Sequence, residues 1–343
     1  MAAHHERIVP FTAGDGFQCN LIHVTTDRPP TRGPVVLVHG AGVRANIFRA
    51  PVQTTVVDAL LEHGYDVWLE NWRASIDLPP NKWTLDQAAL YDHPAAVETI
   101  VHETGADQVK AIIHCQGSTS FIMSAIAGLV PQVSTIVSNA VSLHTVVPKD
   151  GAAKLKYAMP AMKRLTDYLN PQWGRRAPTP VARMVRSLVN LTHHECDNAV
   201  CKHASFIYGA GHPTLWRHEN LNPETHAWLS DEFAEVPMVF FEQMGACVEK
   251  GHLVSVEGHP KLPADFAAHA PRTEARVAFI TGELNDCFVP ESQIRSFEHF
   301  DRLRPGFHTL RIFPSYGHLD VFMGQQAARD TFPTILDELD KPA

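Results

Sequence analysis

Short continuous apolar runs alternate with segments of helical spacing along most of this chain of 343 residues, and that alternation constrains its fold more than any other feature. In "GPVVLVHGAG" the run 35–38 is short, unbroken and closed by a glycine turn, the pattern of a strand covered on both faces. Helical spacing follows through Val56, Val57, Leu60 and Leu61 and stops at Gly64, and "YDVWLENW" reads as the next strand. The scheme continues: helix in "TLDQAALYDHPAAVETIVHETGA", strand in "QVKAIIHC", helix in "STSFIMSAIAGLV", strand in "QVSTIVSNAV". It resumes near the end with the strand "ARVAFITG", a helix through "ESQIRSFEHF", the strand "FHTLRIF" and a last helix in "QAARDTFPTILDELD". This order predicts an α/β protein with a doubly wound, mostly parallel sheet and helices on both faces.

The alternation is interrupted once. From about residue 143 to 263 strand signals vanish and helical stripes take over, which predicts an inserted helical cap (143–263) between two parts of one core (1–142 and 264–343). Leu155, Ala158, Met162, Leu165 and Leu169 would share one helix face, kinked at Pro160. Met184, Val185 and Leu188 suggest a second helix, and "VPMVFFEQMGACV" a third with Pro237 in its first turn.

A hydrophobic fraction of 45% and a charged fraction of 19% are those of a folded globular protein. The net charge of −8, without a basic patch, argues against a nucleic-acid partner. With no signal-peptide core and no membrane-length apolar run, the expected location is cytoplasmic. Six cysteines are too few for a disulfide scaffold and are expected as mostly free thiols.

Reactive groups collect at the carboxyl ends of strands in such a sheet. Cys115, Asp286 and His318 fall there in the order nucleophile, acid, histidine. Cys115, between strand and helix in "IHCQG", would be exposed by a sharp turn at a helix N-terminus, where the helix and a nearby imidazole favour thiolate. His318 would act as base and acid, and a carboxylate would orient its ring. Counted from Gly282 the acid position falls on Asn285, and counted back from "VP" on Asp286; Asp286 is preferred because a carboxylate stabilises imidazolium better than an amide. The oxyanion hole is assigned to the backbone N–H of Gln116 and of Ala41 in the "HGAG" turn.

The layout resembles the α/β-hydrolase superfamily over nearly the whole chain, through "VHGAG", "HCQGS", "TGELNDCFVP" and "YGHLD". More narrowly, "HCQGSTSFIMSAIAGL", "CDNAVCKHASFIYG", "FVPES" and "YGHLDVFMG" resemble the hydrolase-like domain attached to bacterial cholesterol-oxidase-type flavoproteins, here without a flavin fingerprint. The "GHLD" ending is similar to that of acid lipases, and a cysteine elbow to that of polyhydroxyalkanoate synthases and dienelactone hydrolases. One departure stands out: Ile113 replaces the first glycine of the usual G-x-S-x-G elbow, which predicts a distorted turn.

His39 and His114 read as residues that shape the turn and elbow, and Asp320 as one that pins the last helices. Gly42, Arg44, Met159, Met162 and Phe241 are the candidate substrate-binding residues, although Arg44 and Arg73 also suit loop bracing. "HHECDNAVCKH" superficially resembles a metal site, but its spacing compels no ligand set, so no metal or cofactor is assigned. The expected activity is cysteine-dependent hydrolysis of an acyl ester or thioester of an apolar small molecule, with acyl transfer through the same acyl-enzyme, or silent lipid or sterol binding, as alternatives.

Overall fold

A computed structural model describes residues 4–209 and 213–342. Its sheet is built from β1 (His5–Thr12), β2 (Gln18–Thr25), β3 (Pro34–Val38), β4 (Asp66–Asn71), β5 (Val109–His114) and β6 (Val133–Asn139). After a pair of two-residue strands, β7 (Tyr168–Leu169) and β8 (Val236–Pro237), it is completed by β9 (Arg276–Gly282) and β10 (Thr309–Phe313). The eight long strands lie in the order β1-β2-β4-β3-β5-β6-β9-β10; β2 runs antiparallel to its neighbours β1 and β4, and the other pairings are parallel. Every residue of β3, β4, β6 and β9 is buried, as two covered faces require. The first hairpin lies outside the strands expected from sequence: β1 buries only Val9 and Phe11 among charged neighbours, so its apolar signal is weak.

Helices α1 (Val56–Glu62), α2 (His93–Thr104) and α3 (Cys115–Ile126) connect the parallel strands. The start of α1 is set by a reciprocal cap, with Thr55 Oγ1 accepting from Asp58 N–H and Asp58 accepting from Thr55 N–H. Arg73, following β4, braces its loop: its guanidinium pairs with fully buried Asp92 at 2.6 Å and with Asp15 at 2.9 Å.

Between β6 and β9 the structure is mainly helical, with α4 (Lys149–Ala153), α5 (Met159–Lys163), α6 (Pro180–Thr192), α7 (Ala199–Tyr208), α8 (Pro223–Trp228) and α9 (Met238–Lys250). Pro160 lies in the first turn of α5, directly after a π-turn over Lys154–Ala158 that interrupts the regular helix. The predicted stripe does not share one buried face: Ala158 in the π-turn is exposed, and the helix ends at Lys163, so exposed Leu165 lies in the turn beyond it and buried Leu169 in β7. In α6 the inward residues are Ala182, Val185 and Val189, and Met184 and Leu188 face outward. The chain then returns through β9, α10 (Pro290–Leu303), β10 and α11 (Phe332–Asp340). Among the described residues no helix is long and apolar enough to cross a membrane.

Candidate active site

Strand β5 turns into α3 at Cys115, which takes φ +56°. A non-glycine residue there is strained, and it persists only where the surroundings fix it. Two glycines supply those surroundings. A Cβ on Gly117 would fall on the carbonyl oxygen of His39, and one on Gly40 would lie 2.9 Å from Cys115 Cβ and 3.3 Å from its sulfur. Ile113 does not distort the turn. It stays in regular register beside Val38 and Ser138, and Ser138 is small enough to leave it room while bonding Ser118 of α3 at 2.7 Å.

His318 is 1% exposed, and its Nδ1 lies 3.2 Å from Asn285 Oδ1. Asn285, not Asp286, is therefore the residue that orients the histidine. The reason is local: Asn285 N–H closes a turn onto Gly282, and its Oδ1 accepts from the N–H groups of Cys287 and Phe288. This fixes Asn285 and Cys287 inward and leaves Asp286 between them, half-buried, without a bond to His318. Because Oδ1 only accepts, His318 Nδ1 carries the proton. Nε2, which has no hydrogen-bond partner among the described residues, is left for Cys115. The Cys115 sulfur and one ring nitrogen each of His318 and His114 all lie within 4.8 Å of one another.

Cys287 was not foreseen as part of this site. Interaction with the neighbouring Cys287 thiol, which is also placed to donate to the Tyr208 carbonyl at 3.7 Å, is the largest cause holding the Cys115 thiol well below the usual thiol range; burial opposes this, while His318 and the N–H of Gln116 reinforce it. Cys287 is correspondingly pushed well above that range and keeps its proton. Alkylation of Cys115 should thus remain fast as the pH falls to about 6, where an ordinary thiol is almost wholly protonated. In Cys287→Ala the donor is lost and the thiolate fraction falls first at low pH. The expected result is a rate ratio between about pH 9 and pH 6 at least tenfold larger than in the parent, read by iodoacetamide labelling and intact mass.

The turn after β3 is equally constrained. His39 Nδ1 lies 2.7 Å from the Gly40 carbonyl, and burial pushes the ring down to about 3, so it stays neutral and donates there. A trans peptide points its N–H opposite its carbonyl, so this bond sets the direction of the Ala41 N–H. Tyr208 O–H donates to the Ala41 carbonyl at 2.9 Å and fixes the following peptide. His114 is held by Asn139, whose Nδ2 donates to His114 Nδ1 at 2.8 Å and to the His318 carbonyl at 3.0 Å. Asp320 accepts from Gly317 N–H at 2.9 Å and from Asn220 Nδ2 at 2.6 Å, bracing the loop that carries His318.

An apolar cavity opens onto Cys115 and Gln116, lined by Val147, Leu155, Ile207, Tyr208, Phe240, Phe241, Met244 and Phe288. Of the substrate residues expected from sequence, Phe241 alone lines it. Arg44 is committed to a two-pronged pair with Glu232 at 2.8 Å and a contact with Asp77 at 3.1 Å. Gly42 packs under Tyr208 and Val236, Met159 lines a neighbouring groove with Pro160 and Gly245, and Met162 packs against the core.

The alpha/beta hydrolase fold family matches residues 33–324. Among curated relatives, sterol esterase 2 of Saccharomyces cerevisiae is 26% identical over 131 residues, covering 33% of this chain and 24% of the yeast protein. Gastric triacylglycerol lipase of Rattus norvegicus is 27% identical over 134 residues, covering 30% of this chain and 34% of the lipase. The matches thus span about a quarter to a third of those relatives' own lengths. A thermophilic esterase from Thermogutta terrifontis superposes with a TM-score of 0.58 at 12% identity, over 97% of this chain and 98% of that one. An esterase from Exiguobacterium antarcticum gives 0.58 at 12%, over 97% and 99%.

Proposed function

The chain belongs to the alpha/beta hydrolase fold family, and on that premise we propose that it is a cysteine-dependent hydrolase of acyl esters or thioesters with an apolar acyl group, using Cys115, His318 and Asn285. The observation that carries this reading is Cys115 at φ +56° facing a histidine whose other nitrogen is bonded to Asn285. A cysteine, histidine and asparagine arrangement is one of the convergent forms of the triad. The apolar cavity, and the ester and lipid substrates in the names of the two curated relatives, support the substrate class.

The Cys115 proton passes to His318 Nε2, the resulting thiolate attacks the acyl carbon, and the carbonyl electron pair moves to oxygen, towards the N–H groups of Gln116 and Ala41. Collapse breaks the bond to the leaving alkoxide or thiolate, which takes a proton from His318 Nε2. Water, deprotonated by the same nitrogen, then attacks the thioester on Cys115 and releases the acid. Thiolate is itself a better leaving group than an alkoxide, so aryl esters and thioesters suit this site better than simple alkyl esters. The helical segment over Cys115 acts as the cap that supplies the acyl pocket.

The test is intact-protein mass during reaction with p-nitrophenyl esters and acyl thioesters of increasing chain length. Hydrolysis predicts an acyl adduct on Cys115 that forms and clears with turnover. An adduct cleared only by an added alcohol or thiol would replace hydrolysis by acyl transfer, and neither adduct nor turnover with any substrate would sink both.

A further inference from the structure

In the segment between β6 and β9, Cys196, Cys201, His218 and His226 converge: one ligand atom of each lies within 4.8 Å of all the others. The four come from separate pieces of chain. Cys196 precedes α7 and Cys201 lies in its first turn, His218 opens a 3-10 turn (His218–Asn220), and His226 lies in α8. They are distinct from the site around Cys115 and play no part in the mechanism above.

Their geometry matches a tetrahedral ion. The Cys201 sulfur is 3.4 Å from His218 Nε2. Bonds of about 2.3 Å to sulfur and about 2.05 Å to nitrogen, at the tetrahedral angle, place those atoms roughly 3.6 Å apart. The rings of His218 and His226 stand edge to face, their centres 4.8 Å apart, so that two lone pairs can converge without the rings colliding. His226 Nε2 is buried and has no hydrogen-bond partner among the described residues. A buried ring nitrogen without a partner is costly unless a ligand completes it.

The surrounding contacts hold the donors in place. Asn198 caps α7 through Oδ1, accepting from the N–H groups of Val200 and Cys201 at 3.1 Å, and its Nδ2 donates to the His226 carbonyl at 2.7 Å. One side chain therefore ties the backbone of Cys201 to that of His226, and the Cys196 thiol lies 3.8 Å from the Asn198 carbonyl. The nearby histidines in sequence are engaged elsewhere: His203 Nδ1 is bonded to the Ala199 carbonyl, and His194 to that of Leu191.

We propose that Cys196, Cys201, His218 and His226 form a structural site for a zinc ion. Two thiolates and two neutral imidazoles balance the charge of a divalent cation, and this donor set with four-coordinate closure is that of structural rather than catalytic zinc. Binding releases the two thiol protons. The ion joins α7 and α8 to the stretch between them, which is itself tied to the catalytic loop: Leu215 accepts from Leu319 N–H at 2.8 Å, and Asn220 bonds Asp320. The site would hold that stretch against the loop of His318.

Elemental analysis of the full-length protein, purified with reductant and without chelator, should give about one zinc per chain. Cobalt reconstitution is made in the Cys115→Ala background, so that the active-site sulfur cannot contribute. It should give sulfur-to-cobalt charge transfer and tetrahedral thiolate bands in the visible. Chelation should lower Tm by about 5 °C or more. Cys196→Ser and His226→Ala, both at half-buried positions, should each retain less than about a fifth of the parent's metal while keeping its circular dichroism. Metal-free protein with no thiolate bands after cobalt addition would overturn the site, as would a Cys196 to Cys201 disulfide that persists in reductant. The cobalt spectrum needs no variant in the cluster and decides the matter even if those variants fail to fold.

Discussion

Cys115→Ala is expected to lower kcat/KM by about 10⁶, to background, and to abolish the acyl adduct, because without the sulfur no covalent intermediate can form. Its Tm should change little, since alanine keeps the buried Cβ and loses only the sulfur. Cys115→Ser separates this protein from a serine enzyme. In the cysteine enzyme the imidazolium is already balanced by the thiolate, whereas serine brings no preformed anion, so His318 must become cationic during the attack itself and Asn285 offers that cation an amide oxygen rather than a carboxylate. A fall of about 10³ or more is expected for Cys115→Ser. Adding Asn285→Asp to Cys115→Ser should recover part of it, whereas Asn285→Asp alone should not improve the cysteine enzyme. Both are read from initial rates with an aryl ester, with the circular dichroism unchanged. If Cys115→Ala keeps more than about a hundredth of the activity, Cys115 is not the nucleophile and the proposed function falls.

The elbow and the histidine loop were legible because each follows a readable strand: the apolar stretch in 109–114 leads to Cys115, and the apolar residues Leu310, Ile312 and Phe313 of 309–313 lead to the loop of His318. The roles of Gly40 and Gly117 emerge only in the structure, where a backbone packed so close to the nucleophile admits no side chain. Three kinds of information were not carried by local pattern. One is the phase of a turn: Asn285 and Asp286 are neighbours, and a hydrogen bond from Asn285 N–H to Gly282 decides which faces the histidine. Another is helix extent and phase: the helix carrying the predicted stripe contains a π-turn and ends at Lys163, and the pocket is lined instead mainly from elsewhere, including Phe240 and Met244 of α9. The third is convergence at a distance. Cys287 meets Cys115 across a gap in sequence that no motif spans, and the histidines beside Cys196 in sequence are not the ones that meet it in space.

Asn285→Ala is the second large effect, and it tests the register directly. The side chain accepts from two backbone N–H groups as well as from His318, so its loss frees the imidazole and leaves the N–H groups of Cys287 and Phe288 without their acceptor. Each unpaired buried donor costs about 1–3 kcal/mol, so Tm should fall by several degrees. The kinetic loss has a different origin: an unrestrained ring no longer presents Nε2 to the sulfur, and a fall in kcat of about 10²–10⁴ is expected with KM nearly unchanged. Asn285→Asp restores an acceptor for all three donors and should recover most of the stability, which separates ring orientation from folding. Asp286→Asn is the contrasting variant. Asp286 is half-buried and does not bond His318, so its loss of charge should change kcat less than about threefold. If Asp286→Asn proves as damaging as Asn285→Ala, and its pH profile loses the limb set by the histidine, the carboxylate is the third member of the triad and the loop closes differently during catalysis.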